Sequence, residues 1–121
     1  MGDHVRVGIR VDNLFIRAVV ESAVRGAGAW PIVLPKLASA TGSGCGVLIA
    51  ELEGCGADAA AAFRPLMRAG LVVLAFTSTA ANEAVVAARE AGAVVLARSA
   101  FLARLPRLLD TALSSLQGEQ R

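Results

Sequence analysis

Two hydrophobic rhythms take turns along this chain. Val5, Val7, Ile9 and Val11 are apolar at every second position, with Arg6, Gly8 and Arg10 between them, which is the alternation of a strand over residues 5–11. The period then lengthens. Ile16, Val20, Ala23, Val24 and Ala27 fall at helical spacing across residues 13–27, with Asp12 or Asn13 as a natural N-cap and Gly26 and Gly28 to stop the helix. Residues 31–34 read as a short second strand. Residues 36–41 leave room for little more than one helical turn before the loop at Gly42, Ser43 and Gly44. Val47, Leu48, Ile49 and Ala50 form a continuous apolar run, as in a strand covered on both faces. Asp58 caps a helix through about residue 68 that carries Phe63, Leu66 and Met67 on one side, and Pro65 predicts a kink or a late start. Residues 71–76 are the most strongly buried strand candidate, and a helix over 82–91 places Ala84, Val85 and Ala88 inward before Gly92 ends it. Residues 94–97 make the fifth strand. The last helix carries Leu105, Leu108, Leu109, Ala112, Leu113 and Leu116, and a start near 103 puts Pro106 in the first turn, where N–H groups lack an intrahelical partner. Residues 117–121 should fray.

Strands alternating with helices imply a parallel sheet. The expected fold is α/β: a three-layer, doubly wound, flavodoxin-like sheet of five parallel strands in the order 2-1-3-4-5, with a shortened second helix. The 121 residues suit one domain, and a 55% hydrophobic fraction can build its core. Aromatics are only 4%, so that core must be aliphatic. A net charge of +2 without a basic stripe or stacking aromatics argues against direct nucleic-acid binding. The polar start through His4 lacks the apolar centre of a signal peptide, and the longest apolar run is too short for a bilayer, so a cytoplasmic location is expected. Cys45 and Cys55 flank a strand; six extended residues between them at roughly 3.3 Å each span about 20 Å, against the ~7 Å Cα limit of a disulfide, so two free thiols are expected. One His and two Cys at these spacings do not make a zinc site.

Asp12, Glu51, Thr77 and Ser99 lie at the carboxyl ends of four different strands, which in a parallel sheet converge on one crevice. Each has an ordinary explanation as well. Asp12 serves equally as a helix cap or a cation ligand, and Glu51 as a solvated strand-end carboxylate, with Glu53 behind it of the same kind. Thr77, Ser78 and Thr79, like Ser99, often cap the next helix. The glycine-rich Gly42 to Gly46 segment precedes a strand rather than opening a helix, so it reads as a connector and not a phosphate loop. His4, the single histidine, sits at the chain start, which makes Ser-His or Cys-His catalysis improbable.

Taken together these positions resemble the receiver domain of two-component response regulators, the CheY-like fold, over essentially the whole chain. The residues Asp12, Asn13, Leu14, Phe15, Ile16 and Arg17 resemble the receiver's acidic turn and first helix start. Val47 to Leu52 resembles the phosphoacceptor strand, and the stretch from Thr77 to Phe101 matches without a gap. The resemblance places Glu51 where the phosphoacceptor Asp belongs, Val11 in one of two acidic positions with only Asp12 left, Ser99 where a Lys belongs, and Thr77 at the switch threonine. Leu96 falls where many receivers carry an aromatic, and Arg98 is the nearest basic residue to the lost lysine. A receiver's chemistry needs Mg²⁺ held by several oxygens and cationic help on the phosphoryl group. Val11 removes a ligand, Ser99 removes the cation, and Glu51 displaces its oxygens by about an ångström, an error that can cost about 10²-fold in rate.

The resemblance therefore implies an atypical pseudo-receiver of a bacterial signalling or transcriptional regulator. It would be no enzyme and hold no cofactor or metal, would act by protein contact without phosphorylation, and would be held in one state by Glu51. The receiver face built by the fourth helix, fifth strand and fifth helix implies a homodimer or an output contact, with Arg104, Leu105, Arg107 and Leu108 as interface candidates. The leucines of the last helix exceed one stripe about 100° wide, so some are expected to be exposed. The alternative is a flavodoxin-like small-molecule or nucleotide-binding protein using Thr77, Ser78 and Thr79 as a phosphate clamp, although aromatics for flavin stacking are missing near the strand ends. A receiver that still accepts phosphate ranks third.

Overall fold

The computed structural model describes residues 5–55, 58–78 and 83–119, with side chains to residue 116. Element order is β1 (Arg6–Arg10), α1 (Leu14–Gly26), β2 (Trp30–Val33), a 3₁₀ turn (Leu37–Ala40), β3 (Cys45–Glu51), a second 3₁₀ turn (Leu52–Cys55), α2 (Ala59–Arg68), β4 (Val72–Thr77), α3 (Glu83–Ala91), β5 (Val94–Ala97) and α4 (Arg98–Glu119). The five strands form one sheet in the order β2-β1-β3-β4-β5, and every pairing is parallel. The expected short second helix is the first 3₁₀ turn. His4, Thr79 and Asn82 lie outside the described residues.

Strand alternation sorts the core into two layers. Val7, Ile9, Val11, Val47, Ile49, Leu74 and Phe76 point to one face, where α1 and α4 cover them. Leu48, Ala50, Val73, Ala75 and Val95 point to the other, under α2, α3 and the first 3₁₀ turn. The run from Val47 to Ala50 is fully buried, as its unbroken apolar character requires. Asn13, rather than Asp12, caps α1: its Oδ1 accepts from the N–H groups of Phe15 (3.0 Å) and Ile16 (3.1 Å). Asp58 caps α2 by accepting from the Ala61 N–H at 3.3 Å.

The last helix departs from expectation. It begins at Arg98, directly after β5, so Pro106 sits in its interior rather than its first turn. An interior proline costs about 3 kcal/mol. Here it lies on the exposed side, and the early start lets Phe101 and Leu105 continue the stripe of Leu109 and Ala112 against the sheet. Phe101 meets Phe76 with ring centroids 5.1 Å apart. Pro65 is likewise exposed and interior, in α2. The helix assignment runs to Glu119, into the stretch expected to fray.

The anticipated surplus of exposed leucines on this helix does not arise. Leu105 and Leu109 are buried, and Leu102, Leu108, Leu113 and Leu116 are partly buried against the same core. Contact with β3, β4, β5 and α1 together widens the buried stripe beyond that of a helix lying on a sheet alone. Gly46 belongs to this packing, since a Cβ there would meet Leu116 Cδ1 at 2.7 Å. The exposed large apolar side chains lie elsewhere: Leu14, Phe15 and Val19 on α1, Trp30 and Val33 on β2, Val86 on α3 and Val94 on β5.

Both sheet edges are blunted. On β2 the Trp30 and Leu34 N–H groups donate inward to Val5 and Ile9 carbonyls, so the outward positions are Pro31, Val33 and Pro35, and prolines carry no N–H. On β5 the outward carbonyl of Val95 accepts from Arg89 Nε at 3.1 Å and Nη2 at 2.8 Å.

Candidate functional site

The crevice at the carboxyl ends of β1, β3 and β4 gathers a set of carboxylates, each already engaged. Asp12 follows β1, and its Oδ1 accepts from Arg10 Nη1 at 2.6 Å. Arg10 and Asp12 are two residues apart at a strand end, so their side chains point the same way. Glu51 ends β3, and its Oε1 accepts from the Asp12 N–H at 3.2 Å. That bond ties the end of β1 to the end of β3.

Glu53, expected to be a solvated strand-end carboxylate, has a more definite role. The 3₁₀ turn after β3 swings it toward β4, where its Oε2 accepts from the Thr77 hydroxyl and, at 3.0 Å, from the Ser78 N–H. Thr77 is the buried polar residue of the described core, 5% exposed. Thr77 is thus joined to Glu53. Ser99 lies in the first turn of α4 with Arg98 before it, and both are exposed.

Cys55 reports the electrostatics of this cluster. Its thiol donates to the Glu51 carbonyl at 3.3 Å. Burial pushes its pKa up to about 11; Arg10 pulls it down, and the carboxylates of Asp12, Glu51 and Glu53 push it further up. The thiol stays protonated at neutral pH and is a poor nucleophile. Cys45, which opens β3, and Cys55, which ends the 3₁₀ turn after it, are both free, as their separation predicted. Cys55 also lines an apolar groove of about 360 Å³ with Leu37, Ala38, Thr41, Ala62, Pro65 and Leu66.

The residues present do not fit the Mg²⁺ that a phosphorylating receiver uses. Mg²⁺ demands near-octahedral oxygen ligation. Here the Arg10 guanidinium engages Asp12, the Val11 side chain carries no oxygen, and Glu53 turns away toward Thr77. Among the described residues no group of three or more His, Cys, Asp or Glu converges as a metal site.

A doubly wound parallel sheet in the order β2-β1-β3-β4-β5 defines the flavodoxin-like fold. Solved structures bear this out. The chain superposes on the signal receiver domain of a LuxO-repressor candidate from Vibrio parahaemolyticus with a TM-score of 0.79 at 14% identity, over 98% of this chain and 96% of that one. An orphan response regulator of H. pylori gives 0.66 at 19% identity, covering 87% of this chain and 96% of that one. The receiver domain of a sensor histidine kinase from Pseudomonas aeruginosa, which has magnesium coordinated in its active-site cleft, gives 0.71 at 19% identity, covering 93% and 99%. No family model and no curated protein matches the chain. At these identities the shared property is the fold.

Proposed function

We propose that this chain is an atypical receiver domain of a bacterial signalling or transcriptional regulator, acting through protein contact and without phosphorylation. One observation carries the reading: the strand-end groups that would serve metal and phosphoryl are already engaged within the chain, Asp12 by Arg10, and Thr77 and Ser78 by Glu53. Glu51 stands at the phosphoacceptor position, and one of its oxygens already accepts from the Asp12 N–H at the end of β1. The domain is then a binding module and no enzyme, with no metal of its own. A cytoplasmic location fits this role, and no helix among the described residues is long and apolar enough to cross a membrane. Two donors of the flavodoxin-like alternative's phosphate clamp, the Thr77 hydroxyl and the Ser78 N–H, already donate to Glu53, which favours the first reading.

The contact face we favour is that of α3, β5 and α4, used for a homodimer or an output domain. Arg104 is exposed on α4 and Leu108 is half-buried; Arg107 lines a groove with Ala23, Gly26 and Ala27 on the α1 side and leaves the set, as does Leu105, which at 1% exposed belongs to the core. Val86 and Val94, flanking the β5 edge, replace the leucines as its apolar centre. The deciding experiment is intact-mass spectrometry after incubation with acetyl phosphate and Mg²⁺. The mass should not change; gain of one phosphoryl group on Glu51 would overturn the reading.

A further inference from the structure

The shortened second helix leaves a mark on the surface. Between β2 and β3 stands only the 3₁₀ turn Leu37–Ala40, whose four residues reach about 8 Å at about 2.0 Å of rise each. Beside α2 this turn leaves the apolar groove of about 360 Å³ that Cys55 also lines. Leu37 and Leu66 give the walls their bulk, while Ala38 and Ala62 are too small to fill the space between. The Cys55 thiol, protonated and donating to the Glu51 carbonyl, brings no charge to it. A recess this short seats one or two side chains and not a whole helix.

The chain on both sides of the groove carries charge of one sign. Residues 22–50 and 59–78 contain no Asp or Glu, and both walls fall within those stretches. The cations beside the groove are Lys36, directly before the 3₁₀ turn, and Arg64 and Arg68, next to Pro65 and one turn beyond it on α2. All three are exposed. The carboxylates nearest in sequence are committed elsewhere: Glu51 accepts from the Asp12 N–H, Glu53 from Thr77 and Ser78, and Asp58 from the Ala61 N–H. An apolar recess among cations is complementary to a chain that carries carboxylates around an apolar side chain.

We propose that this groove is the docking site for a short acidic segment of a partner protein, which seats an apolar side chain between Ala38 and Ala62 and sets its carboxylates against Lys36, Arg64 and Arg68. The proposal gives the protein-contact reading a partner chemistry and rests on it. The groove shares no residue with α3, β5 or α4, so the domain holds an acidic segment at one place and its dimer or output contact at another.

NMR titration of the full chain with a synthetic octapeptide, two leucines among glutamates, tests the site. Amide shifts should centre on Leu37, Ala38, Thr41, Ala62 and Leu66 and saturate below about 1 mM. One control peptide carries lysines for the glutamates and another serines for the leucines; each should bind about tenfold more weakly or worse. Arg64→Glu combined with Arg68→Glu should weaken the acidic peptide about tenfold, since an exposed charge pair is worth a factor of a few and two are reversed. Ala38→Trp fills the recess and should weaken binding about tenfold or more. Ala38 is exposed, and Thr41→Trp on the same wall takes its place if that variant loses its dispersed spectrum. Shifts centred on α3, β5 and α4, equal binding of the lysine peptide, or no saturable shift would overturn the proposal. So would saturable shifts at the groove with decanoate and none with the peptide, which would make it a small-molecule site. A negative titration leaves the acetyl phosphate result untouched, whereas a phosphoryl gain removes the underlying reading and leaves the titration standing.

Discussion

The two faces of the sheet are stabilised by different means. On the α1/α4 face, two of fifteen buried core residues are alanine, and Phe76 and Phe101 pair at the centre. On the α2/α3 face the count is six of fourteen, with Phe63 as the one aromatic of that cluster. The first face is held by side-chain volume under helices of 13 and 22 residues. The second carries helices of 10 and 9 residues and a 3₁₀ turn. It relies more on polar ties at its margins: Glu53 to Thr77 and Ser78, and Arg89 to Val95. Large interdigitated side chains resist displacement, whereas a thin alanine layer can shift when a polar tie is released.

The largest expected effect separates the faces by their aromatic anchors. Phe101→Ala and Phe63→Ala should each destabilise by about 3–5 kcal/mol in urea unfolding. Phe101 should cost more, by about 0.5–1.5 kcal/mol, because it also loses the ring pair with Phe76. Equal costs would show that the difference between the faces is not energetic. Next come the helix caps. Asn13→Ala, which removes an acceptor for two N–H groups, should cost about 1 kcal/mol. Asp58→Ala, which removes one 3.3 Å bond, should cost less. The smallest effect on stability, within about 0.5 kcal/mol, is expected at exposed positions. Val86→Glu should leave unfolding unchanged but weaken self-association in sedimentation velocity, while Phe15→Glu on the opposite face should alter neither. The reverse pattern would move the interface to α1.

How much of this is legible in the sequence depends on the range of the interaction concerned. The alternation of Val5, Val7, Ile9 and Val11 and the unbroken run at Val47 to Ala50 are local signals that suffice for the strands, and the regular exchange of strand and helix suffices for the parallel sheet. The start of α4 is not local in this sense. Pro106 penalises an early start within the helix itself, whereas burial of Phe101 against Phe76 favours it through residues 25 positions apart. The Glu53–Thr77 bond joins residues 24 apart through the direction taken by a 3₁₀ turn, and nothing in the spacing announces it. The Arg10–Asp12 pair is legible in principle, since opposite charges two apart at a strand end share a side. It is masked because Arg10 also fits as the polar half of the alternation.

The blunted edges bear on how this chain behaves in a crowded solution. A sequence of 55% hydrophobic residues, folded around an open sheet, has two borders along which further copies could add as strands without limit. Pro31 and Pro35 withdraw donors from one border, and Arg89 occupies an acceptor on the other. Association is thereby steered away from growth by backbone pairing and toward side-chain surfaces, where symmetry closes an assembly after a fixed number of subunits. The outermost strands thus offer a further copy fewer backbone partners than an unmodified sheet border would.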